Sequence, residues 1–226
     1  DTGSTLNINA NTTIAGDLLT AGTASVAYSG TPTVTMSGTG VLGGSSGTHS
    51  FYNLTISGTV TGSTSFTLNN TLNISAGSLI LSGGTVTLAT TGWGITNSGT
   101  LTFSGLTISE TPSSQPSSSF SVGGALTVNA SKTFAPTAGT ITMTGGSIVN
   151  SGTALTFYNL DIAGTVTGST NFTVANDLTV TSGTLSGTGD ITVNGGDITG
   201  NGTINMTGGT FLLDGTGTFG GNTSWT

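Results

Sequence analysis

His49 is the only histidine of the chain, and it follows the pentapeptide Gly43-Gly44-Ser45-Ser46-Gly47 by two residues. That pentapeptide has the G-x-S-x-G form of a nucleophile elbow, where a strand-to-helix turn lifts the serine hydroxyl within reach of a histidine base. The chemistry needs a helix after Ser45, and no segment here spaces its apolar residues at i, i+3, i+4, i+7. The expectation is a corner loop with an exposed His49. "GTGVLG", residues 38–43, has the G-x-G-x-x-G form of a dinucleotide loop but again lacks the helix that must follow it. With 39 glycines in 226 residues, such a match needs no function.

Carboxylates are the stronger candidates. Asp161, Asp177, Asp190 and Asp197 each stand directly before a Leu or Ile, in "LDI", "NDL", "GDI" and "GDI". Glycoside hydrolysis needs two carboxyl groups facing each other across a bond, and a calcium-assisted reaction needs a basic proton acceptor besides. The chain has no Arg, and its single Lys, Lys132, is distant in sequence from the Asp-rich part. Asp190 and Asp197 are seven apart, not the nine of a calcium-binding nonapeptide. An Asp before a strand also has a structural use, accepting backbone N–H bonds at a corner. We therefore expect no enzyme, with no catalytic residue, cofactor or metal site.

Other partners are bounded by composition. Net charge is −7, and neutralising phosphates takes a basic patch that one Lys cannot form, so no nucleic-acid partner is expected. No apolar run approaches the ~20 residues of a membrane-spanning helix. The absence of cysteine leaves the compartment open. The first residue, Asp1, is not Met, which suggests a processed chain from which a leader has been removed. Asn-x-Ser/Thr sequons at Asn11, Asn53, Asn69, Asn73, Asn129, Asn171, Asn201, Asn205 and Asn222 are candidate glycosylation sites.

The elements that must carry these residues follow from a repeat. "FYNLTISGTVTGSTSFTLNNTLNISAGSL" (51–79) returns as "FYNLDIAGTVTGSTNFTVANDLTVTSGTL" (157–185), offset by 106, with 18 of 29 positions identical. Inside each copy the apolar residues fall into three interleaved series. Leu54, Leu72 and Ile95 form the first, Val60, Leu79 and Leu101 the second, Phe66, Val86 and Leu106 the third. The later copy gives Leu160, Leu178, Ile198, then Val166, Leu185, Ile204, then Phe172, Ile191, Phe211. Steps of 18–23 residues with three short apolar-polar-apolar groups per step predict an all-β, three-faced parallel β-solenoid of about 20 residues per turn. The fold alternative is a pair of β-sandwiches, whose strands run longer.

Extended backwards, the series place Val34, Val41 and Phe51 in one turn, then Phe120, Leu126, Phe134 and Ile141, Ile148, Leu155 in two others. About 11 turns result, a rod of roughly 50 Å at the ~4.8 Å strand spacing. One solenoid domain, 1–226, is expected. It contains a duplication (about 33–109 and 140–213) separated by a Pro/Ser loop, "ETPSSQPSSS" at 110–119, thrown out from a corner. Between the inward residues lie Thr35, Thr55, Asn73, Thr142, Thr179 and Thr199 in the first series, and Thr67, Thr87, Thr107, Thr156, Thr173 and Thr192 in the third. Stacked Thr suits strands; a regular Thr array could also order water, as an ice-binding face does.

"TFYNLDIAGTVTG", "ANDLTVTSGTL" and "GALTVNASKTF" resemble the repeats of large bacterial surface solenoids of the filamentous-haemagglutinin and autotransporter-passenger type. The resemblance implies a right-handed parallel β-helix, exported to the cell surface and working in attachment or as scaffold. Together these readings lead to an extracellular, non-enzymatic subunit that stacks head-to-tail into a filament, sheath or surface fibre, with itself as main partner. Its contact residues would be Leu6 and Ile8 at one end, Phe211, Leu212, Leu213, Phe219 and Trp225 at the other. Glycans or host surfaces are further partners to consider. The alternative is a monomeric module that binds ice or glycans on the same scaffold.

Overall fold

The computed structural model describes residues 3–44 and 47–225, with only the backbone of Trp225. It is an all-β parallel β-solenoid of about 10 turns with about 20 residues per turn. Every element among the described residues is a strand of two to six residues. A strand this short cannot bury a face by itself; stacked in parallel on its equivalents one turn away, it contributes two inward side chains to a continuous core. Contacts gather the chain into two compact units, residues 1–114 and 115–226.

In the first unit the three series are three stacks of strands. Leu54 pairs with Leu72 and Leu72 with Ile95 in the first. Val60, Leu79 and Leu101 align in the second, and Phe66, Val86 and Leu106 in the third. In the second unit Leu160–Leu178–Ile198, Val166–Leu185–Ile204 and Phe172–Ile191–Phe211 align likewise. All these inward residues but Phe211 are buried.

Three placements differ from the sequence reading. Gly40, not Val41, pairs with Val60; Val41 points outward and is 38% exposed. Gly40 is required because a Cβ there would lie 2.3 Å from the Gly16 carbonyl oxygen. His49, not Phe51, aligns with Phe66, and Gly146, not Ile148, with Val166. Both slips are of two residues, which preserves the face, so Phe51 and Ile148 stay in the core. The 110–119 segment is not thrown out. Pro112 and Pro116 are buried, Ser113 donates its amide to the Thr91 carbonyl, and Pro116 accepts from the Thr137 amide. Proline cannot donate to a ladder, so this stretch packs without forming a strand. Trp93 is also buried, its indole Nε1 donating to the Glu110 carbonyl at 2.7 Å.

Candidate functional site

The polar side chains of the corners act between turns. Asn11 Oδ1 accepts the amide of Thr33, one turn on, at 2.9 Å; Asp17 Oδ1 accepts that of Val41 at 2.8 Å. Asn53 Oδ1 receives three donors, the Thr71 amide, the Thr71 hydroxyl and the Asn70 side chain. In the second unit the pattern becomes a relay. Asn159 Oδ1 accepts the Asp177 amide (3.1 Å), Asp177 Oδ1 the Asp197 amide (3.0 Å), and Asp197 Oδ1 the amide and hydroxyl of Thr218 (both 2.9 Å). A second relay runs from Asn171 Oδ1 to the Asp190 amide and from Asp190 Oδ1 to the Thr210 amide.

Asp177, Asp190 and Asp197 thus stand at corners before strands, as expected, but each Oδ1 accepts an amide of the following turn. Oδ2 of Asp177 and of Asp190 accepts the side-chain amide of Asn176 and of Asn171, respectively. Asp161 differs: it is the third residue of the strand Asn159–Ile162 and accepts from the Thr181 hydroxyl at 2.7 Å. The two Thr218 donors hold the exposed Asp197 carboxyl below the usual carboxylate range. Among the described residues no three His, Asp or Glu side chains gather as a metal site would need, and no helix is long and apolar enough to cross a membrane.

Two grooves occupy equivalent places on the third stack of each unit. The larger, of about 350 Å³, is lined in part by Asn150, Leu155, Asn171, Phe172 and Asp190. Asp190, its one carboxylate, is already engaged by the Thr210 amide and, at 3.2 Å, by the Asn171 side chain. The smaller, about 140 Å³, is lined by Gly47, Thr48, His49, Ser65, Phe66 and Thr87 among others.

His49 is the principal correction. It opens the strand His49–Phe51, lies inward between Val26 and Phe66, and is 1% exposed. Its Nε2 is 3.1 Å from the Thr20 hydroxyl, while Nδ1 has no hydrogen-bond partner. Burial pushes the imidazole below the usual histidine range, against the Gly47 and Gly43 carbonyls, which favour the charged form. The signal was present in the sequence: His49-Ser50-Phe51 occupies the place of Leu155-Thr156-Phe157 in the second copy. Ser45 lies outside the described residues. "GTGVLG" forms most of the strand Thr39–Gly44, with Gly38 and Gly40 pressed against the Ala15 and Gly16 carbonyls.

The outward files are in register. Thr13, Thr35, Thr55, Asn73 and Thr96 align, as do Ser50, Thr67, Thr87 and Thr107. In the second unit Thr142, Asp161, Thr179 and Thr199 form one file, and Thr156, Thr173 and Thr192 another that ends at Leu212. Sequence reasoning missed the second stack of the first unit, where two files run side by side: Thr39, Thr59, Ser78, Thr100 and Val41, Thr61, Ile80, Thr102.

Of the assembly candidates, Leu6 (52%) and Phe219 (56%) are exposed although they continue inward files, Leu6 against Val26 and Phe219 against Ile198. Ile8 is buried, Phe211 and Leu213 are half-buried, and Leu212 points outward. The Trp225 side chain lies outside the described set. Asn11, Asn171, Asn201 and Asn222 are exposed; Asn53, Asn69, Asn73, Asn129 and Asn205 are half-buried. No family model matches the chain, and neither does any curated protein or solved structure.

Proposed function

We propose that the chain is a non-enzymatic structural subunit, exported to the cell surface or beyond, that stacks head-to-tail into a fibre or sheath of the filamentous-haemagglutinin kind. The observation that carries this reading is the open state of two core files. Leu6 and Phe219 are inward by register yet more than half exposed. Each extends an apolar column that a further turn of the same geometry would cover. An uncovered strand edge over apolar side chains recruits another strand, and a heterologous contact that does not close builds an open filament.

Electron microscopy and light scattering at micromolar concentration test it. The expected result is that the chain forms fibres, while the double variant Leu6→Asp, Phe219→Asp stays monomeric with unchanged circular dichroism. A parent that remains strictly monomeric overturns the proposal.

A second reading draws on the paired files of the second stack. Thr39, Thr59, Thr61 and Thr100 are exposed, and no described residue bonds their hydroxyls. Together with Val41 and Ile80 they make an uncharged, in-register face of mostly β-branched side chains fixed at χ1, suited to ordered water. Thermal hysteresis from the monomer, lost in Thr61→Lys, would favour that ice-binding role.

A further inference from the structure

Among the described residues His49 is the one buried titratable side chain, and it stands in an inward file. Burial there favours the neutral ring against the opposing pull of the Gly47 and Gly43 carbonyls. Nε2 is paired with the Thr20 hydroxyl, Nδ1 has no partner, and the ring is 1% exposed. The strands around it are Leu18–Thr20, Ser25–Tyr28, Thr39–Gly44 and Phe66–Leu68. Tyr28 is the only titratable side chain in these four strands. Asp17, just before the first, has its Oδ1 on the Val41 amide. No carboxylate on these elements is therefore positioned to take up an imidazolium.

The second copy shows that the fold does not require a histidine here. Leu155 stands 106 residues on, aligned with Phe134 and buried, beside the same edge-on pair of phenylalanines. A leucine at position 49 would therefore fill the site without a polar atom. We infer that His49 is an acid-sensitive switch: its protonation loosens the turns of the first unit around His49–Phe51 and exposes the inward files of Val26, Phe51 and Phe66, while the second unit stays closed.

The direction follows from linkage. Burial lowers the folded-state pKa beneath the unfolded value of 6.5. Between those two values the unfolded chain binds more protons, so stability falls as pH drops below about 6.5 until the folded pKa is passed.

A single histidine makes the measurement unambiguous. Nuclear magnetic resonance follows the one imidazole from pH 8 to 4. Native-state hydrogen exchange, corrected for intrinsic rates, compares strands 25–28, 49–51 and 66–68 with 155–157 and 172–174 at pH 7.5 and 5. The expected result is a depressed imidazole pKa and a several-fold loss of protection in the first set only. His49→Leu abolishes that loss. An imidazole that titrates at its ordinary value, or an equal loss of protection in His49→Leu, overturns the switch. Should His49→Leu fail to fold, the titration and exchange of the parent chain still decide.

Discussion

Phe51 and Phe66 meet edge-on with ring centroids 5.6 Å apart and planes at 81°; their counterparts Phe157 and Phe172 meet at 5.6 Å and 88°. Asn70 donates to Asn53 at 2.7 Å, and Asn176 to Asn159 at 2.8 Å. The two copies have kept the same core and the same corner. They differ in where they place ionisable groups. The first has His49 inside, where the second has Leu155; the second has Asp161, Asp177, Asp190 and Asp197 at the positions of Thr55, Thr71, Thr85 and Gly94. Inward positions and corner oxygens hold the coil together, and the charged substitutions are tolerated where they serve the next turn.

The largest effect should come from charging the shared core. Leu72→Asp and Leu178→Asp each place a carboxylate in a fully buried file with no partner, at a cost of several kcal/mol. Both variants should lose their cooperative thermal transition. A variant that melts with its parent would show that the inward assignment of that unit is wrong.

Next come the matching corners. Gly77 and Gly183 adopt φ of +67° and +86°, and a Cβ would lie 2.1 Å from the Gly58 oxygen or 2.5 Å from the Gly164 carbonyl oxygen. Left-handed backbone costs a residue with a Cβ roughly 1–2 kcal/mol, and the contact with backbone adds to it. Gly77→Ala and Gly183→Ala should destabilise their units by similar amounts in urea unfolding. A neutral result at either would mean that its corner can relax and that the copies differ in stiffness.

How much of this was legible in sequence depends on what each residue's neighbours constrain. Leu54, Leu72 and Leu79 announced their files because alternation within a strand and a step near 20 between strands agree. The three-column architecture followed from those two periods alone. Val41 was misplaced because Gly40 occupies the inward position, and a residue without a side chain gives no apolar signal. His49 was misplaced because a polar residue beside Gly-Ser punctuation looks like a loop; only alignment with Leu155 exposes its inward place. Corner carboxylates were recognised as hydrogen-bond acceptors, yet their partners lie about 20 residues away in the next turn, a contact that no local pattern encodes. The Pro/Ser segment looked like a loop for sound local reasons, but nothing local records that Pro112 and Pro116 are buried.

A smaller effect is expected at the paired asparagines. Asn53→Ala removes the acceptor of the Thr71 amide and hydroxyl, and Asn159→Ala that of the Asp177 amide. Thr71 is exposed and water can replace part of the loss, so each change should cost on the order of 1 kcal/mol. Asn53→Asp should retain most of the stability, since its oxygen can still accept. If Asn53→Asp costs as much as Asn53→Ala, the amide that Asn53 donates to the Thr33 hydroxyl, and not the bonds its oxygen accepts, fixes this corner.

The finest test separates the units by pH. Asp197 has its carboxyl held below 3.8 by the Thr218 amide and hydroxyl, so the charged form is favoured in the fold. That contribution is intact above the unfolded carboxylate range and is lost as pH falls from about 4 through the lowered folded value. The first copy has Gly94 at the equivalent position, with no carboxylate there. Because Asp197 is fully exposed, the effect should be small and weakened by salt. Asp197→Asn keeps an acceptor for the same two donors but removes the proton linkage. Hydrogen exchange of strand 198–200 between pH 5 and 2.5 should therefore lose protection in the parent and less in Asp197→Asn. Equal losses would show that protonation of Asp197 does not set the low-pH behaviour of this strand.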